Sequence, residues 1–493
     1  LTFEDESSLY QPNPAANAPL VYNGGNTGNI TYKRTSTPMF KLDYTYWSTP
    51  VSPQNLLAIS PSSPQNYFLE YTGTAWAFIS PSATTMRPAK GYLVRAPWFF
   101  PDASPSLPQE HTATFIGVPN NGAISIPVIG GSSQLNLIGN PYPSAISAYP
   151  TSPGLPATGF CTANTNLQGS LYFWTHNTPL GVFLWGQYNP NDYAIYNLTG
   201  ASTPAAVGTG NNTIPTGIIG SGQGFFVEGL SAAPSNANFT NAMRRPGSNN
   251  AFFRNSAPLA DTHTSADGLE KHRYWLDITN SNNDFKQVLI GYIEGATNGL
   301  DRLFDAKMVD IDSKVTIYTK VEDTHLSIQG KDLAFDVNEQ IALYFYCKTA
   351  DNFTIKLSDF DGLFENQNIY LEDTTLNIIH DLKQAPYVFA SEQGLFETRF
   401  KVRYTTNALG TNNPVFNENS VIVYNNEQGL FVNSGAVAMK NVTIYDVAGR
   451  LIAAKTNVNN VTTNFTNLPK VQQVLLVKIE SENGTTVTKK VVF

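Results

Sequence analysis

Short apolar strands punctuated by turn residues, repeated along the whole chain, leave little room for anything but β structure. Between residues 313 and 382 the sequence reads SKVTIYTK, THLSIQGKDL, QIALYFYCKT, NFTIKLSDF and QNIYLEDTTLNIIHDL. Such runs alternate apolar and polar residues, the period of a strand with one buried face, and turn formers separate them. Composition agrees: Gly 36, Pro 31, Tyr 24 and Phe 29 stand against only 14% charged residues, which disfavours helices. A length of 493 residues exceeds one core. The expected fold is all-β: tandem β-sandwich or jelly-roll-like domains ending in an Ig-like C-terminal sandwich.

Charge marks the boundaries. Residues 1–250 hold eight basic and nine acidic residues; residues 251–413 hold 15 and 24, a net of −9; residues 414–493 hold seven and five, a net of +2. These shifts, with two polar joins, predict a β-rich unit at 1–254, a linker at 255–271, a β-sandwich at 272–406, a linker at 407–420 and a terminal domain at 421–493. The overall charge of −8 argues against a nucleic-acid partner, because neutralising phosphates needs a basic face. No apolar run approaches the ~18 residues of a membrane helix, and no basic-then-apolar leader is present. A start at Leu1 without Met reads as a processed product or the tail of something longer.

The first unit contains a duplication, about 40–110 and 130–250. YTYWSTPVS (Tyr44 to Ser52) matches LNLIGNPYPSAIS (Leu135 to Ser147), and NYFLEYTGTAWAFI (Asn66 to Ile79) matches SLYFWTHNTPLGVFLW (Ser170 to Trp185). MRPAKGYLVRAP (Met86 to Pro97) matches IIGSGQGFFVEGL (Ile218 to Leu230). Between the halves, TATFIGVPNNGAISIPVI reads as a hairpin turning at Asn120-Asn121-Gly122. The last unit offers six strand candidates: SVIVYN, GLFVNS, VTIYDV, GRLIAA, VLLVKI and TVTKKVVF. In VTIYDVAGRLI, Asp446 is expected to cap the turn by its side chain and Gly449 to supply positive φ.

Catalytic and metal patterns are sparse. None of His111, His176, His263, His272, His325 and His380 has a neighbour at zinc-binding spacing, so each is read as structural. No nucleophile elbow, phosphate-binding glycine loop or catalytic Cys context occurs. Glu70 and Glu228 fall at non-equivalent positions of the repeat and are read as surface residues rather than a glycosidase pair. Asp301, Asp305, Asp310 and Asp312, and Asp359, Asp361, Glu372 and Asp373, form acidic clusters off the helix-loop-helix spacing; calcium is the one metal they suggest, with solvated turns the simpler reading. No other cofactor is expected. Cys161 and Cys347 lie far apart in sequence; an oxidising exterior permits a disulfide between them, and two separate buried thiols are the preferred reading. Trp76, Trp98, Phe99, Phe173, Trp174 and Trp185 are candidates for core packing or a sugar-stacking platform.

The end of the chain carries a resemblance. An apolar strand, Asp-x-x-Gly-Arg, a second strand and a final strand with Lys before apolar residues are supplied by Val442, Ile444, Tyr445, Asp446, Gly449, Arg450, Leu451, Lys489, Lys490, Val491 and Val492. This pattern resembles the C-terminal sorting domain of proteins exported by the type IX secretion system of Bacteroidetes. Upstream stretches, among them AKGYLVRAP, LIGNPYPS and LIGYIEGATNGLD, resemble the tails of large flavobacterial adhesin-like surface proteins. VQQVLLVKIE departs from the pattern: it lacks the Gly-x-Tyr common where the penultimate strand begins.

The resemblance implies an Ig-like domain recognised by the outer-membrane translocon barrel and by a shuttle barrel. It further implies a sortase-like protease that cuts before the domain and links the cargo to lipopolysaccharide; the cut would fall in Asn407 to Ser420. The expected protein is therefore a non-enzymatic secreted or cell-surface molecule. The alternative is a carbohydrate-binding module array with a glycan ligand on the first unit, from a polysaccharide-acting protein.

Overall fold

The structure, a computed structural model, describes residues 1–11, 26–102, 106–131, 134–150, 158–177, 192–203, 214–247, 249, 268–309, 313–406, 416–418, 420–426, 429–435, 437–468 and 473–493. Trp185, His263, Asp310, Asp312 and most of both expected linkers lie outside these residues. The fold is all-β and multi-domain; among the described residues the one α-helix is the single turn Phe160–Ala163. Contacts divide the chain into two compact units. The first comprises Leu1–Lys271, Leu289–Lys307 and Ile328–Leu333; the second comprises His272–Val288, Met308–Ser327 and Ala334–Phe493.

Two sheets with one strand order dominate the first unit. In one, Tyr44–Trp47 pairs with Tyr92–Arg95, which pairs with Phe68–Tyr71 and then Trp76–Phe78. In the other, Leu135–Gly139 pairs with Gly224–Glu228, then Leu171–Trp174, Tyr193–Tyr196 and Ala201–Ser202. The matched sequence segments thus occupy matched places; Leu171–Trp174 also pairs with Tyr193–Tyr196, and the second half of the hairpin expected to end at Trp185 lies outside the described residues. Apart from the edge strand Trp76–Phe78 of the first sheet, both faces of each sheet are largely buried. One face of each covers its own core, with Trp47, Phe68 and Phe115 in the first and Phe160, Phe173 and Phe225 in the second. The opposite faces supply a shared aromatic layer. Tyr46, Tyr71 and Trp76 from one sheet meet Phe226 of the other at ring-centroid distances of 5.6, 4.9 and 5.8 Å. Gly224 permits this approach, since a Cβ there would stand 2.8 Å from the Cβ of Tyr46.

The expected hairpin at Asn120-Asn121-Gly122 does not form. Thr112–Pro119 pairs with Ile30–Thr35 and Val51–Ser52, whereas Ile124–Val128 pairs with Ser235–Phe239. Asn120 explains the divergence: its buried amide donates to the carbonyls of Thr49 and Pro141, at 3.0 and 2.9 Å, holding the chain as it leaves one sheet for the next. Turn propensity alone could not show those distant acceptors.

Residues 289–307 and 328–333 belong with the first unit. Arg302 donates to the carbonyls of Cys161 and Leu167, Ser170 Oγ to Asp305 O, and Thr199 Oγ1 to Phe304 O. In the second unit, Tyr274–Asn280 pairs with Phe353–Phe360, and the start of that strand, Asp351–Ile355, pairs with Tyr387–Ser391; Gln340–Cys347 pairs with Val315–Val321 and Gly394–Arg403, and the latter with Tyr370–Asp373.

The end of the second unit is a two-sheet sandwich. A three-stranded sheet orders Ile422–Asn426, Gly429–Asn433 and Thr462–Phe465; a four-stranded sheet orders Leu451–Asn460, Met439–Asp446, Val474–Ser481 and Thr486–Val492. Thr462–Phe465 adds a seventh strand to the six expected. Val442, Ile444, Leu475, Val477 and Ile479 are fully buried between the sheets. Each such side chain contributes ~1.5–3 kcal/mol relative to exposure.

Candidate recognition face of the terminal sandwich

The hairpin at residues 446–450 is built around one carboxylate. Asp446 Oδ1 accepts the backbone N–H groups of Ala448 and Arg450, both at 2.9 Å, and Oδ2 accepts Arg450 Nε at 2.6 Å. Gly449 takes φ +79° and donates its N–H to Asp446 O at 3.0 Å. The Arg450 N–H, aided by its guanidinium, holds the Asp446 carboxyl below the usual carboxylate range. Asp446 and Gly449 therefore act as expected for a turn, while the Arg450 side chain remains 81% exposed.

The residues singled out in sequence separate by direction. Val442 and Ile444 enter the core, and Val491 packs against it half-buried. Lys489 is half-buried and lies 3.6 Å from Glu392. A different set remains on the outside of the four-stranded sheet. Register places Leu451 opposite Tyr445, Tyr445 opposite Leu476, and Leu476 opposite Lys490, a single row across all four strands. The neighbouring row pairs Val474 with Val492. Leu451 and Val492 are both 61% exposed, and Val447 beyond the turn is 73% exposed. This face is consequently apolar at the end that carries the 446–450 hairpin, with Lys490 on its outer strand, whereas the next row along, Ala454, Thr443, Lys478 and Thr488, is largely polar. Sequence reading sets Leu476 in alternation with Leu475 but does not place it among the recognition residues, and it misses Val474, which the same alternation could have found.

No metal site emerges: among the described residues no three His, Cys, Asp or Glu side chains converge. The acidic candidates instead serve the protein's own donors. Asp301 accepts the N–H of Thr297, Asp305 those of Asp301 and Gly330, Asp361 binds Arg273, and Asp373 binds Arg399 and Tyr387. Glu70 pairs with Lys90, as a partly exposed residue can. Glu228 differs from the surface reading: it is 3% exposed and paired with Lys307 Nζ at 2.6 Å, a partner 79 residues away that makes its burial tolerable. Cys161 and Cys347 are free and buried, with thiols pushed up by desolvation to about 12 and about 11.

One constellation escaped sequence reading. Thr37 Oγ1 lies 2.8 Å from His176 Nε2, and His176 Nδ1 lies 3.7 Å from Asp43 Oδ2, with all three residues buried. Burial pushes the imidazole down to about 4 and the carboxyl up to about 7. The ring is thus neutral at pH 7, and the His–Asp separation exceeds a hydrogen bond. His111, His272 and His380 each meet a backbone group, of Ile59, Leu363 and Ala385 respectively.

The aromatic candidates also separate. Phe173 is core, Trp76 and Trp174 join the layer between the sheets, and Trp98 and Phe99 are 63% and 55% exposed. Among the described residues no helix is long and apolar enough to cross a membrane.

A family model described as Domain of unknown function (DUF8693) matches residues 1–404. The chain belongs to this family. A second model, Domain of unknown function (DUF8694), matches residues 409–493, the stretch that contains the terminal sandwich. No curated protein matches the chain.

Proposed function

We propose that residues 421–493 are a recognition module, the C-terminal sorting domain of a type IX secretion cargo, and that the residues before it are the non-enzymatic secreted or cell-surface, adhesin-like portion. The observation that carries this reading is the row Leu451, Tyr445, Leu476 and Lys490. Three of these four residues belong to the resemblance, and neither the core nor the turn accounts for their outward, largely apolar display. Water disfavours such a display unless a partner covers it. The outer strand Thr486–Val492 also has a neighbour on one side only within its sheet, so a barrel partner could add a strand there.

The test is export in a bacterium with a type IX system. A reporter fused to residues 414–493 should reach the cell surface or medium, and Tyr445→Ala with Leu451→Glu should stop it while the melting temperature of the purified fusion stays unchanged. Surface appearance of the chain lacking residues 414–493 in wild-type amounts would sink the proposal.

A further inference from the structure

Within the second unit, the outer face of the three-stranded sheet meets the face of Asp351–Phe360 and Tyr387–Ser391 through Ala390, Ile422 and Tyr424. Beyond that contact the two faces border a cleft of about 690 Å³, within the range of small-ligand sites. Cross-strand register builds one wall: Tyr424, Phe431 and Asn464 form one row and Ile422, Asn433 and Thr462 the next. Tyr424 and Phe431 stack at 5.3 Å with an interplanar angle of 12°. The opposite wall presents Asn352, exposed, and Val388, 63% exposed.

Three features select the occupant. First, among the described lining residues none is acidic or basic, although residues 251–413 carry 15 basic and 24 acidic side chains. The lining itself offers a charged ligand no counter-ion, and the two cations beside the cleft, Arg399 and Lys455, are engaged by Ala390 O and Asn464 O. Second, the Tyr424 hydroxyl is buried and meets no hydrogen-bond partner among the described residues. Third, the strand edges beside the cleft are already engaged: Arg399 Nη1 donates to Ala390 O at 3.2 Å, and Lys455 Nζ to Asn464 O at 2.6 Å. A peptide adding as a strand would compete with both cations. What remains is an aromatic stack beside amides and a hydroxyl, Asn352, Asn433, Asn464 and Thr462. The amides of Asn352 and Asn464 offer a donor and an acceptor side by side, which suits vicinal hydroxyls; Asn433, whose Oδ1 accepts the Gly435 N–H at 2.8 Å, adds a donor, and an aromatic ring suits the C–H face of a pyranose.

We infer that this cleft binds a neutral oligosaccharide, contacted by Phe431 and by the side-chain amides of Asn352, Asn433 and Asn464. The site is separate from the row that carries the sorting proposal, so either can fail alone.

Titration calorimetry of the full chain against neutral hexasaccharides of glucose, xylose, mannose and galactose tests it. At least one should bind. Val388→Arg places a charge in the cleft from an exposed position, so folding should be preserved and affinity should drop by at least about tenfold. Asn433→Ala combined with Asn464→Ala should weaken binding comparably, and Trp98→Ala should leave it unchanged. Absence of binding by every hexasaccharide overturns the inference. So does binding that survives Val388→Arg with an unchanged melting temperature, or binding that Trp98→Ala removes. Capture of a labelled extended Thr/Val peptide, lost in Val388→Arg, would reassign the cleft to peptides and likewise overturn it.

Discussion

The two units satisfy their buried polar groups by different chemistry. In the first, neutral amides hold many loops by donating to backbone carbonyls, beside a few charged groups such as Glu228 with Lys307 and Arg34 with Asp5. Asn140, fully buried, donates to the carbonyls of Ser144, Ile219 and Gly220 at 2.8, 3.0 and 3.1 Å, and accepts the N–H of Tyr142. Asn164 spans Phe160 and Asn238 in the same way. In the second unit, ion pairs do this work. Arg399 and Asp373, 3% and 0% exposed, pair at 3.0 Å, and Asp373 also accepts the Tyr387 hydroxyl and the N–H groups of Thr375 and Leu376. Arg273–Asp361 and Arg403–Glu372 repeat the device. The difference is one of emphasis and follows composition: a region poor in charged residues closes most of these loops with Asn, whereas one rich in both signs buries more pairs. A buried pair becomes costly when half of it is removed, while an amide network loses one bond at a time.

That contrast can be broken by mutation. The largest effect is expected for Asp373→Ala, which strands a buried guanidinium: a loss of about 3–5 kcal/mol, read by urea denaturation of the full chain. A loss below about 1 kcal/mol would place the pair among the weak surface contacts and erase the distinction. Asn140→Ala should cost less, about 2–3 kcal/mol, because it leaves neutral groups unpaired.

Acidity sharpens the comparison next. The folded carboxyl of Asp43 lies at about 7 against an ordinary 3.8, owing first to desolvation and then to nearby Asp192, so folding takes up a proton between those values. Its contribution to stability therefore falls as pH rises from about 4 to about 7. His176, held down to about 4 from 6.5 by burial, acts in the opposite sense between about 4 and 6.5, where the unfolded chain binds more protons. His176→Gln removes the second contribution. The stability of this variant relative to wild type should consequently decline as pH rises between about 4 and 6.5, measured by denaturation across that window; an unchanged pH profile would refute the opposing pair.

The smallest effects belong to the terminal hairpin. Gly449→Ala forces a Cβ into left-handed backbone at φ +79° and should cost roughly 1–2 kcal/mol. Leu451→Ser, at a position 61% exposed, should change stability by no more than about 0.5 kcal/mol. A larger loss would mean that this side chain serves folding, which would weaken the case for a recognition face.

Legibility varied with the range of the interaction. The Asp446 turn could be read directly because its donors lie within four residues. The strands of the terminal sandwich were legible too, since period-two alternation states which side chains share a face. The expected turn at Asn120 failed because that amide is bound by Thr49 and Pro141, far off in sequence. Glu228 was misjudged for a similar reason, its partner being Lys307. The Thr37, Asp43 and His176 cluster draws on two halves of a duplication and leaves no local motif.

Local sequence determined the all-β character, the duplicated strand order's raw segments and the chemistry of the last hairpin, because strand period and turn geometry depend on near neighbours. Tertiary structure alone decided which strands paired, that an aromatic layer joins the two duplicated sheets, and that Leu451, Tyr445, Leu476 and Lys490 form one outward row. The reason is physical: register is a relation between strands, and alternation within one strand specifies a face without specifying what stands opposite it.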